Sequence, residues 1–108
     1  MSILNNAIKR TLTASSGSAS ETFTTQGICY QIIVKPETAS TQYDIQLIDF
    51  NSLVVYKRAS EVGTLNDLTS LPLSGTYTVS IDNSTVDEDF IILVMVRNSW
   101  WLDNLGIK

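Results

Sequence analysis

Apolar and polar residues alternate with a period of two along much of the chain. The clearest case is residues 76–81, where Tyr77, Val79 and Ile81 alternate with threonine and serine. Successive side chains of a strand point to opposite faces, so this period predicts strands with one buried face. Residues 28–35 and 43–48 alternate in the same way, and no segment has the spacing of an amphipathic helix. The sequence therefore predicts an all-β fold.

Turn-forming residues separate these segments at intervals of roughly ten residues, which is typical of two antiparallel sheets packed face to face. We expect seven or eight short strands in a two-sheet antiparallel β-sandwich, with jelly-roll and immunoglobulin-like connections both open. The predicted domain is residues 1–108, with an N-terminal arm at 1–10 and a C-terminal tail at 98–108. Residues 66–72 are expected to form a crossing loop.

The last predicted strand, residues 90–96, is apolar at every position. One of its faces carries Ile91, Leu93 and Met95, and the other carries the remaining apolar residues. Both faces cannot point into one core, because the outer face of a sandwich strand normally meets water. The second face is therefore covered either by the chain's own loops or by another subunit.

Both tryptophans, Trp100 and Trp101, follow this strand, and Leu105 lies a few residues beyond them. Tryptophan is enriched at the centres of protein interfaces. The segment is either a tail folded back over its own domain or a contact within an assembly. The candidate interface residues are Ile91, Leu93, Met95, Trp100, Trp101 and Leu105.

The charge pattern argues against nucleic-acid and membrane partners. The net charge is -4, and the seven basic residues are scattered rather than clustered. A nucleic-acid binder needs grouped Lys and Arg to neutralise phosphates. The apolar run at 90–96 is too short to span a bilayer. The single cysteine, Cys29, is interpreted as a small hydrophobic residue of the core or of an interface. Because the start does not resemble a signal peptide and one cysteine cannot form an internal disulfide, we expect a protein made in a cytosol.

The commonest general base and the commonest zinc ligand are absent, because the sequence contains no histidine, and it has only one cysteine. We therefore expect no catalytic activity, no cofactor and no zinc site. Asp44 and Asp49 could form a carboxylate pair, but we interpret them as solvated acids at a strand edge.

Four acids, Asp82, Asp87, Glu88 and Asp89, surround one predicted turn. Such a cluster could hold a weak cation, although it lacks the spacing of a calcium loop. We favour a charged turn that protects the apolar strand after it from aggregation.

Four segments carry a resemblance to a known family: residues 27–34, 43–49, 71–79 and 90–94. Together they resemble the small β-sandwich virion structural proteins of tailed bacteriophages. This resemblance implies a capsid decoration or cement protein, or a neck or tail accessory protein. The implied partners are a major capsid, portal or tail protein, with self-association as a trimer or larger ring. The implied location is the virion, assembled in the host cytoplasm.

A carbohydrate-binding β-sandwich module is the alternative. Such modules stack sugars on exposed aromatic rings, and the candidates here are Tyr43, Tyr56, Trp100 and Trp101.

Overall fold

The computed structural model describes residues 4–98, and every regular element among them is a strand. The six strands are β1 (Leu4–Thr13), β2 (Ala19–Pro36), β3 (Gln42–Asp49), β4 (Val54–Val62), β5 (Leu65–Asp82) and β6 (Asp89–Asn98). Within this range no helix is long and apolar enough to cross a membrane.

All six strands belong to one sheet in the order β1-β6-β2-β5-β3-β4, and every neighbouring pair is antiparallel. The predicted all-β, antiparallel fold is confirmed. The two-sheet sandwich is not confirmed, because one continuous ladder of hydrogen bonds links all the described strands. The sheet is open, with β1 and β4 at its edges.

The two longest strands, β2 and β5, have 18 residues each and pair along nearly their whole length. On its other side β2 pairs with β6 only from residue 28 onward, and β5 pairs with β3 only from residue 77 onward. A straight strand of this length would measure about 60 Å. The longest dimension of the molecule is 48 Å, so both strands are curved.

Glycine lies on each long strand where it approaches its second neighbour. Gly27 of β2 has φ 145° and Gly75 of β5 has φ 112°, values that side-chain-bearing residues rarely adopt. A Cβ on Gly27 would lie 2.5 Å from the carbonyl oxygen of Arg97 in β6. Only glycine lets the β6 backbone come this close.

The curvature brings distant parts of one face of the open sheet into contact, and the side chains of that face form the core. Tyr43 of β3 and Phe90 of β6 meet edge to face with ring centroids 5.2 Å apart, although β2 and β5 separate their strands in the sheet. Phe23 and Tyr77 stack at 5.9 Å on neighbouring strands. The core is therefore built from both halves of one curled sheet.

The predicted crossing loop at 66–72 is wrong, because these residues form the first half of β5. Pro72 misled the prediction, since proline is rare inside central strands. In this half, β5 pairs with β2 on one side only, and a strand with a free side tolerates proline. Residues 4–10 of the predicted arm belong to β1, and residues 99–108 of the predicted tail lie outside the described range.

Candidate assembly face

The side of β6 that points away from the core carries a row of apolar side chains. Leu93 lies opposite Ile33 of β2, and Met95 and Ile91 flank it along β6. We call Ile33, Ile91, Leu93 and Met95 the outer face. Each of these residues is half-buried, whereas Phe90, Ile92, Val94 and Val96, on the core side of β6, are at most 1% exposed.

Polar and charged residues border this outer face on the neighbouring strands. Lys9 of β1 lies opposite Leu93, and Lys35 of β2 lies opposite Ile91. Leu68 of β5, which is 77% exposed, extends the apolar surface beyond Gln31. The result is an apolar strip with a basic residue on each flank.

Oppositely charged residues stand at the two ends of the strip, and each is held in place by a neighbour. At one end, the Thr13 hydroxyl donates a 2.6 Å hydrogen bond to Oδ1 of Asp89. At the other end, the guanidinium of Arg97 lies over the Tyr30 ring, 5.4 Å from its centroid. Such a cation–π contact favours a fixed position for the charge.

A shallow depression of about 250 Å³ opens beside Ile91 at the acidic end of the strip. Lys35, Glu37 and Asp89 contribute charged groups to its lining, and Thr11 and Pro36 complete it. The two carboxylates suit a cationic group entering the depression.

Of the six candidate interface residues predicted from sequence, Ile91, Leu93 and Met95 therefore lie together on the outer face. Trp100, Trp101 and Leu105 lie outside the described residues. Sequence reasoning missed Ile33, which occupies the outward phase of β2. Its place in the alternation of residues 28–35 is a signal that could have identified it.

The acidic turn serves to fix loops. Asp87 accepts hydrogen bonds from the backbone N–H groups of Ser16 and Gly17 at 3.1 and 2.9 Å. Glu88 accepts from the backbone N–H and hydroxyl of Thr38 and from the hydroxyl of Thr41, all within 3.0 Å. Among residues 4–98 no three metal-ligating side chains converge on one point.

Glu88 is almost fully buried. Burial opposes its ionisation, but the hydrogen bonds from Thr38 and Thr41 outweigh that effect and hold the pKa of Glu88 below its ordinary value. The charged form of Glu88 therefore ties the loop after β2 to the loop before β6.

Asp44 and Asp49 do not form a carboxylate pair. They are five positions apart on a strand that pairs regularly with β5, so they point to opposite faces. Asp44 accepts hydrogen bonds from Ser60 and Asn83, which lower its pKa, and Asp49 accepts from the backbone of Asn51 and Leu53. Both acids stabilise local turns and bulges.

Cys29 lies in the core, as the sequence predicts. Burial raises the pKa of its thiol, and the hydrogen bond from Thr69 only partly offsets this. A thiol with a raised pKa is a poor nucleophile at neutral pH.

The proposed sugar-stacking role is wrong for Tyr43, whose ring is fully buried and whose hydroxyl donates to the Gly63 carbonyl at 2.7 Å. Burial, together with the negative charge of Glu61, raises the pKa of Tyr43 to about 12. Tyr56 is half-buried and its hydroxyl donates to Asp67 at 2.7 Å, so only part of its ring is free.

No protein-family model and no curated protein matches this sequence. Twelve chains of solved structures match in shape, including the following two. One is PliG of Aeromonas hydrophila, a periplasmic inhibitor of g-type lysozyme, with 12% identity, coverage of 84% of this chain and 85% of that chain, and a TM-score of 0.48. The other is the carbohydrate-binding module CBM36 in complex with calcium and xylotriose, with 13% identity, coverage of 91% and 92%, and a TM-score of 0.36. At these scores neither similarity indicates a function for this chain.

Proposed function

We propose that this chain is a non-enzymatic structural protein that assembles with other protein subunits through the outer face. The observation that carries the proposal is the apolar row Ile91, Leu93 and Met95, which lies with Ile33 on the side of β6 away from the core. Covering such a row with another protein removes apolar surface from water, which stabilises an assembly.

The assembly that we propose is the virion of a tailed bacteriophage, with a capsid decoration or cement role ahead of a neck or tail position. Support comes from the resemblance of four sequence segments to that class of proteins. The partners would then be a major capsid, portal or tail protein, and attachment would need no catalytic group.

The direct test replaces Leu93→Glu and measures the solution mass by light scattering over a concentration series. A charge at the centre of the outer face should strongly weaken association, because covering it costs solvation energy that pairing with the neighbouring Lys9 only partly returns. Thr78→Glu is the matched control, since Thr78 points outward on β5, opposite Thr22 of β2, in the other half of the sheet. The control should associate like the parent protein.

The virion assignment is tested by copy number in purified particles. The parent chain should be present at a fixed copy number per particle, and Leu93→Glu should be absent from particles while remaining folded. The carbohydrate-binding alternative would instead be favoured if the chain were absent from particles and simple glycans quenched its tryptophan fluorescence in a saturable way.

A further inference from the structure

The outward side chains of β6 follow an order that is complementary to itself when reversed. They are Asp89, Ile91, Leu93, Met95 and Arg97, which places an acid at one end, three apolar residues in the middle and a base at the other end. All five lie on one side of the sheet because alternate residues of a strand share a face and β6 pairs with β1 without a bulge.

We propose that a second copy of this chain packs on the outer face with its β6 antiparallel, about a two-fold axis between the two Leu93 side chains. Each Ile91 then lies against Met95 of the second copy, and each Asp89 faces Arg97 of the second copy. The inference rests on the proposed function and makes a second copy of the chain the subunit that covers the outer face. Attachment of this pair to a capsid, portal or tail protein would then use another surface.

The contacts within one chain already hold both charged groups where this pairing needs them. Thr13 fixes the Asp89 carboxylate, and the Tyr30 ring fixes the Arg97 guanidinium. Groups that are held in position before binding lose less conformational entropy when they pair.

The depression beside Ile91 fits the same arrangement. It lies at the acidic end, where Met95 and Arg97 of the second copy would arrive. Glu37 and Asp89 in its lining provide two carboxylates for one guanidinium, which favours charge-assisted hydrogen bonds.

The other two-fold arrangement, with parallel β6 strands, places Asp89 on Asp89 and Arg97 on Arg97. Juxtaposed like charges oppose that arrangement and select the antiparallel one. In the antiparallel pair the two Lys9 side chains share a row at the β1 edge. Lys9 is exposed, so its ammonium group can turn to water.

The test uses two charge reversals on the full chain, Asp89→Arg and Arg97→Asp. Each variant alone places like charges at both ends of its homodimer and should associate at least about tenfold more weakly than the parent. An equimolar mixture of the two restores both opposite-charge pairs and should form a heterodimer of twice the chain mass. Lys57→Asp, an exposed charge reversal on β4, is the control and should associate like the parent.

Circular dichroism establishes that each variant is folded before its mass is measured by light scattering. The proposal is overturned if the mixture stays monomeric, or if either single variant dimerises like the parent. If Leu93→Glu loses association but the mixture of Asp89→Arg and Arg97→Asp does not dimerise, the outer face remains an interface. That result would reject only the antiparallel pair. A parent protein that is monomeric at every concentration would reject the two-fold pair, whereas absence of the parent chain from purified particles would reject the proposed function.

Discussion

The two halves of the sheet present very different surfaces away from the core. The outer face of β6 and β2 is built from isoleucine, leucine and methionine. The outward side of β2 before Gly27 and of β5 after Gly75 carries serine and threonine instead. We call the latter the hydroxyl face; it comprises Ser20, Thr22, Thr24, Thr76 and Thr78, and the row ends at Ser80, which is buried. Its cross-strand partners are directly opposed, and the hydroxyls of Thr24 and Thr76 lie 2.9 Å apart.

The side chains of both surfaces point away from the core of the same antiparallel sheet. The fold alone therefore does not require apolar residues on the outer face. The hydroxyl face shows that outward positions in this sheet can be polar and paired with one another across strands. Apolar side chains at the equivalent positions gain free energy when covered, by about 25 cal/mol per Å². The difference between the two surfaces supports the proposal that a partner covers the outer face.

The largest expected effect separates the two sides of β6 itself. Phe90→Ala removes a fully buried ring that contacts Tyr43 and should lower the free energy of unfolding by about 3–5 kcal/mol. Leu93→Ala removes a half-buried side chain and should cost about 1 kcal/mol in the monomer. Urea denaturation, at a protein concentration too low for association, measures the free energy of unfolding of both variants. Equal losses would mean that the outer face is packed inside the chain.

Gly27 and Gly75 are expected to differ in how much they contribute to the stability of the fold. In Gly27→Ala the new Cβ meets the Arg97 carbonyl oxygen at 2.5 Å and Val96 Cγ1 at 2.7 Å, so the apolar half of the sheet must shift. We expect a loss of more than about 2 kcal/mol, from backbone strain and this clash together.

In Gly75→Ala the nearest atoms are 3.9 Å away, in the Phe50 ring. Only backbone strain remains, which should cost about 1 kcal/mol. Thermal unfolding compares the Tm of the two variants. A lower Tm for Gly75→Ala than for Gly27→Ala would show that the fold depends more on the glycine in the hydroxyl half.

The smallest expected effect concerns the pH dependence of stability that comes from Glu88, which ties the loop after β2 to the loop before β6. Its pKa is lower in the folded chain than its ordinary value of 4.5, so ionised Glu88 stabilises the fold above that pH. This contribution is lost as the pH falls through the folded-state pKa. Glu88→Gln should therefore have a lower Tm than the parent at pH 7 and a smaller difference near pH 3.

Glu21→Gln, at an exposed position on β2, is the control for that pH series. It should track the parent much more closely than Glu88→Gln does. A Glu88→Gln variant whose Tm differs from the parent by the same amount at every pH would contradict the assigned role of the Glu88 charge.

The alternation of residues was enough to predict the all-β class and the two apolar sides of β6. It did not give the number of strands, because residues 4–98 form six strands, two of them long, rather than seven or eight short ones. It could not predict the sheet order, because the pairing of β2 with β5 joins residues far apart in sequence. Local signals also misled at Pro72, where the free side of β5 makes proline acceptable. The roles of Asp87 and Glu88 depend on partners in the loops at 15–18 and 37–41, and no local pattern in the sequence reveals such contacts.

The most direct test of the central claim is the solution mass of the unmodified protein by light scattering across a concentration series. We predict a mass that rises from one to two chain masses with concentration, and a constant single-chain mass for Leu93→Glu. A parent protein that keeps the mass of one chain throughout, with Leu93→Glu indistinguishable from it, would contradict the outer face as a surface for self-association.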